Sequence, residues 1–219
     1  MPRLQTLPRL RDWLLSGDMD SLQAYAEHNH RALSFLTAMT YDQDPQIAWN
    51  AVRALGCTAA VIAESDPEYV RVHLRRFMWL LNDESGGIGW RAPESLASVI
   101  ADSPDLFEEF VPVVISILDM EPEDFTRFRA GALWALGRLA SNFVDQVRAR
   151  EAFLAECLTD QDSQIRGLAV WCLRQLDIQY PYAETFDFSK DQGEVILLTG
   201  EKLVQTSVAQ IASGMYLDL

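Results

Sequence analysis

The sequence predicts an all-α chain of stacked helix pairs that ends in a small C-terminal β-hairpin. Three observations lead there: an internal repeat at near-constant spacing, a helical apolar period inside each repeat, and a β-branched pattern close to the C-terminus. Four segments align: Ile47–Gly56, Ile88–Ala97, Phe128–Gly137 and Ile165–Arg174. Each has a large apolar residue, an alanine four later, a small residue three after that, and then leucine. The aligned alanines are Ala51, Ala92, Ala132 and Ala169, spaced by 41, 40 and 37 residues. Positions −4, 0, +3, +4 and +7 around each alanine fall on one arc at about 100° per residue, the pattern of a helix with one buried face.

A second apolar, helix-period segment precedes each of these B helices: His30–Tyr41, Pro67–Leu81, Pro104–Met120 and Asn142–Leu158. Turn residues separate the two, as in Asp42-Gln-Asp-Pro45 and Asp160-Gln-Asp-Ser163. Asp and Ser satisfy free N–H groups at a helix start, and Pro pre-sets φ there. The unit is therefore helix A, short turn, helix B. Pro93 falls inside the second B segment and is tolerable only in a first turn, so that helix should begin near Gly89. Residues 1–29 read as one or two capping helices, Pro8–Leu15 and Asp18–His28, and 30–177 as four pairs. In residues 178–219, Glu194–Gln205 centres on Gly200 and reads as a hairpin, with a short helix from Thr206 or Ser207 to Ala212. A lone hairpin is marginal in water, so it needs cover from the last repeat or from a second chain, which makes it a candidate homodimer contact.

These residues resemble the HEAT-like repeat family in its short form, the PBS-lyase type found in bacteria, with the pattern D-x-[DS]-x-[VI]-R-x-x-A-x-x-A-L-G. Asp44, Pro45, Ile47, Ala51, Ala54, Leu55 and Gly56 carry it in the first unit. Phe128, Arg129, Ala132, Ala135, Leu136 and Gly137 carry it in the third, and Asp162, Ile165, Arg166, Ala169 and Leu173 in the fourth. Ala48 and Gly89 depart from it by replacing the arginine. The resemblance implies a right-handed α–α superhelix, a HEAT-like solenoid. It also implies that Arg129 and Arg166 pair with turn aspartates of neighbouring repeats.

The 219 residues carry 18 Lys+Arg against 32 Asp+Glu, a net charge of −14, and 49% are hydrophobic. Such acidity disfavours a general nucleic-acid binder and a polybasic membrane-surface protein. Cys57, Cys157 and Cys172 form no CxxC pair and fit a reducing compartment, and no apolar run is long enough for a signal peptide or a span. A cytoplasmic protein is expected. The four B segments, however, hold Arg53, Arg91, Arg127, Arg129, Arg138, Arg166 and Arg174 against one acid, Glu94, a local charge of +6.

Trp49, Trp90, Trp134 and Trp171 stand two positions from the key alanines, opposite the core arc. They form either an aromatic row in a B-helix groove or a packed set under neighbouring repeats and the hairpin. Arg53, Arg138 and Arg174 have no evident structural partner. The turn Asp83-Glu84-Ser85-Gly86-Gly87 leads into Trp90, Arg91 and Glu94. It reads as a helix cap, or as a groove edge that could take an anion.

His28, His30 and His73 show no metal-ligand spacing, and no catalytic constellation appears, so no cofactor and no metal are expected. The leading expectation is a non-catalytic scaffold that binds a protein or peptide partner through Trp49, Arg53, Asp83, Glu84, Trp90, Arg91, Glu94, Trp134, Arg138, Trp171 and Arg174. The resemblance also allows a bilin-lyase-like maturation factor or, against the charge, a DNA-alkylation glycosylase.

Overall fold

A computed structural model of the chain describes residues 3–81, 91–120, 122–177 and 186–215, with the side chains of 3–8 and 122–127 left aside. It divides into two units, Met1–Ile117 and Leu118–Leu219.

The first unit opens with α1 (Arg3–Ser16), α2 (Met19–His28) and α3 (Ala32–Met39), followed by the long α4 (Pro45–Ala63). The start of α4 is written in the sequence. Asp44 accepts from the Gln46 N–H at 2.9 Å, and Pro45 needs no helical donor in the first turn. The predicted core arc of α4 is buried, with Ile47, Ala51, Ala54 and Leu55 all at 0% exposure. α1, α2 and α3 pack against it. Asn50 ties it to α1 by donating to the Leu14 carbonyl at 2.6 Å, at the helix end where that carbonyl also accepts from the Gly17 N–H. Next come α5 (Pro67–Leu81) and α6 (Ala92–Asp102), the latter with Pro93 in its first turn as the sequence requires.

The segment Pro104–Met120 is not one helix. It breaks into α7 (Pro104–Phe107), a 3-10 turn, α8 (Val111–Ser116) and another 3-10 turn. Pro112 supplies the cause, since it has no N–H to donate to the Glu108 carbonyl, which takes the Val111 N–H in a 3-10 turn instead.

In the second unit, α9 (Pro122–Leu139) is a B helix that begins earlier than its apolar period suggests, at a proline suited to a first turn. The next A segment, Asn142–Leu158, is interrupted as well, into α10 (Val144–Arg148) and α11 (Glu151–Cys157). Arg150 sits at the break with φ −103° and ψ 15°, and its guanidinium clamps Asp119 through bonds of 2.9 and 2.7 Å. α12 (Ser163–Gln175) is capped by Asp162, which accepts from the Gln164 N–H at 2.9 Å.

The hairpin follows as β1 (Glu194–Thr199) and β2 (Lys202–Ser207), antiparallel, with Thr199 opposite Lys202. Gly200 takes φ +55° at the first turn position, which a two-residue II′-type connection demands. α13 (Val208–Ser213) starts in a capping box between Ser207 and Gln210. α12 is covered by β1 and α13. The inner strand residues Val195, Leu197 and Val204 are buried there, so the hairpin does have a cover within its own unit.

The leucine-glycine end of the repeat has a packing role. A Cβ on Gly56 in α4 would lie 2.8 Å from the Ser98 carbonyl oxygen of α6, and one on Gly137 in α9 would meet the Trp171 ring of α12. In both places the glycine lets the next B helix approach closely. Gly137→Ala is therefore expected to lose about 1–3 kcal/mol by overpacking. A urea unfolding midpoint equal to the parent's would contradict that close approach.

Candidate functional site

Trp49 is 7% exposed, Trp134 2% and Trp171 4%, so the expectation of solvent-facing indoles is corrected for these three. A B helix in this fold has neighbours on both flanks, and the side opposite the core arc is filled as well. Trp134 and Trp171 stack at 6.3 Å with 16° between their planes, and the Trp134 indole N–H donates to the Leu198 carbonyl of β1 at 2.9 Å. A platform for a nucleobase or a flat tetrapyrrole needs an accessible ring face, which these indoles do not offer. Asp83, Glu84 and Trp90 lie outside the described residues.

The arginines divide in the same way. Arg129 pairs with Asp160 at 2.5 Å, the turn-aspartate contact that the repeat pattern implies. Arg166 instead grips Asp191 in a fork of 2.8 and 3.0 Å and donates to the Asp160 and Gln161 carbonyls. Arg174, expected to lack a structural role, donates to the Ala212 carbonyl at 2.8 Å and so holds α13 against α12. Arg53 and Arg138 are half-buried and engaged within the fold.

What remains of the predicted site is one cluster in the first unit. The Arg91 guanidinium lies 4.2 Å from the Trp49 ring centroid, a cation–π contact, and 3.4 Å from a carboxylate oxygen of Glu94. Glu94 is 4% exposed, and its second oxygen has no hydrogen-bond partner among the described residues. Burial dominates on both sides of this pair. It pushes the Glu94 carboxyl up to about 7 despite the opposing pull of Arg91, and it lowers the Arg91 guanidinium despite Glu94. The Tyr41 hydroxyl is raised too, first by burial and then by the Glu94 charge. A buried carboxyl poised near neutrality beside a partly covered cation is a common mark of a functional site.

The thiols offer no matching nucleophile. Burial pushes Cys57 up to about 11 and raises Cys157 and Cys172 as well. His73 is buried against Phe77 and shares a 2.9 Å bond with the Thr37 hydroxyl, and burial lowers it to about 4. Among the described residues no group of three His, Cys, Asp or Glu side chains could hold a metal ion. Among the same residues no helix is long and apolar enough to cross a membrane.

The surface holds a feature that the B-helix pattern passed over. On α5, Val70, Leu74, Phe77 and Leu81 are buried, while Trp79 on the other side is 79% exposed. Val72 stands two turns before it on the same stripe, 41% exposed, and Arg75 and Arg76 lie exposed between them. The signal was present in the sequence: Val72 and Trp79 are one heptad apart and off the apolar arc.

Helix pairs in tandem, capped at the far end by a hairpin and a short helix, define a helical-repeat protein. Residues 126–176 match the model of the HEAT-like repeat, so this stretch of the second unit carries a HEAT-like repeat. The chain is also similar to an uncharacterized protein of Archaeoglobus fulgidus, 25% identical over 181 residues that cover 81% of this chain and 92% of the relative. No solved structure matches it.

Proposed function

We propose that this chain is a non-catalytic helical-repeat scaffold that binds a protein or peptide partner, with the outer stripe of α5 as part of the binding surface. One observation carries the reading. Trp79 is the most exposed large apolar side chain among the described residues, in a chain that buries Trp49, Trp134 and Trp171. An indole left in water keeps apolar area that a partner can cover, and Trp and Arg are among the residue types enriched at binding hot spots. Arg91, packed over Trp49 and 23% exposed, adds a mostly covered cation in the same unit.

Affinity capture from the native host tests the reading, with the parent chain and Trp79→Ala as parallel baits and quantitative mass spectrometry as the readout. A Trp hot spot of about 2 kcal/mol corresponds to a loss of roughly thirtyfold in affinity, so captured partners should fall sharply with the variant. The substitution is at the surface and should leave thermal stability within about 0.5 kcal/mol of the parent. Equal capture by both baits would remove α5 from the binding surface.

A further inference from the structure

The two edges of the hairpin are treated differently by the fold. Along β1 the outward-facing backbone groups are met by helix side chains. The Ser163 hydroxyl donates to the Glu194 carbonyl at 2.8 Å. The Gln164 amide donates to the Ile196 carbonyl and accepts from the Ile196 N–H, both at 2.8 Å, as a neighbouring strand would. The Trp134 indole donates to the Leu198 carbonyl at 2.9 Å. That edge is closed.

Those bonds fix the geometry of the other strand. Both backbone groups of Ile196 point away from β2, so Ile196 and its partner Gln205 form a pair that exchanges no bonds across the hairpin. Gln205 therefore directs its N–H and C=O outward from β2 and, by the period of two, so does Leu203. Ser207, next in that period, has its N–H taken by the Gln210 side chain at 3.1 Å. Among the described residues, nothing meets the four groups on Leu203 and Gln205. Proteins usually cover or charge such an edge, and this fold covers only one of the two.

We propose that β2 is the pairing edge for a second copy of this chain. Two β2 strands meet antiparallel about a two-fold axis at Val204, with Leu203 of each copy opposite Gln205 of the other. Two donors and two acceptors spaced i and i+2 are their own complement under such an axis. They form four backbone hydrogen bonds and leave none of these groups over. The side chains agree with that register. Lys202 is the one charged residue of β2, and it falls opposite Thr206 rather than opposite its own copy, so the joint faces no like charges in a chain of −14. On the outer face, Leu203 of one copy extends the row of Gln205 and the 45%-exposed Ile196 of the other. This proposal uses none of the α5 residues and does not depend on them.

The test is oligomeric state against protein concentration by sedimentation velocity, together with amide hydrogen exchange read residue by residue by NMR. The expected result is a reversible dimer at high concentration, with slowed exchange at the Leu203 and Gln205 amides. Gln205→Pro removes an outward N–H that the β1–β2 ladder does not use, so the hairpin should persist while the chain stays monomeric. A parent chain that is monomeric at every concentration overturns the proposal. So does a dimer that survives Gln205→Pro, or one that forms with both amides exchanging as fast as in the monomer. Protection of these amides at low concentration would mean that another segment fills the edge, and overturns it equally. If Gln205→Pro fails to fold, the exchange series on the parent chain decides by itself.

Discussion

Replacing Trp171 by alanine is expected to destabilise the unit of residues 118–219 by about 3–5 kcal/mol, the usual loss for a buried Trp truncated in a core. The ring is 4% exposed, stacks on Trp134, and fills the space that Gly137 leaves open. Removing it leaves a cavity bounded by α9 and α12 and takes away the stacking partner of the indole that holds β1. The effect should therefore reach the hairpin, seen as faster amide exchange along β1 as well as a lower urea midpoint. Trp171→Phe separates packing from polarity. The Trp171 indole N–H is buried without an acceptor among the described residues, so a phenyl ring keeps much of the contact while dropping that donor. Phenylalanine should then lose much less than alanine. Equal losses for the two variants would mean that the stack is not what holds α9 and α12 together.

The second large effect concerns pH. The Glu94 carboxyl is raised from an ordinary value of 4.5 to about 7 by burial, so the folded chain holds this proton more tightly than the unfolded chain does. The contribution to stability is complete below the unfolded value, declines as pH rises through the window between 4.5 and about 7, and is absent above it. At about 1.4 kcal/mol per pKa unit, the loss is on the order of 3 kcal/mol across that window. Glu94→Gln keeps the shape and cannot ionise. It should give a flat profile over the same window and a more stable protein on the alkaline side, with Trp49 still packed under Arg91. Chemical denaturation at a series of pH values checks this. A variant with the parent's slope would show that the pH dependence arises elsewhere.

The register of the B helices was legible because a helical period is a local property. Ala51, Ala92, Ala132 and Ala169 sit on buried arcs, since each arc is set by residues within two turns. Helix starts at Pro45, Pro67 and Ser163, and the turn at Gly200, follow from side chains that act on their own backbone. The break at Arg150 had no such cue, because its residue types continue a helix and its partner Asp119 is 31 residues away. The same holds for the candidate site. Arg91 and Glu94 were picked out with the glycine-rich turn that leads into them, but Trp49 lies 42 positions before Arg91 in the chain.

By itself the sequence determined the helix-pair repeat, its spacing, and the hairpin at its end. Only the tertiary structure decided which of the chosen side chains face a partner and which face the fold. It buried Trp49, Trp134 and Trp171, gave Arg174 structural work, and left Trp79 and the β2 edge in the open. The physical reason is that a helix period specifies one buried flank. The other flank is covered by whatever element packs there from elsewhere in the chain, and no local pattern records that neighbour.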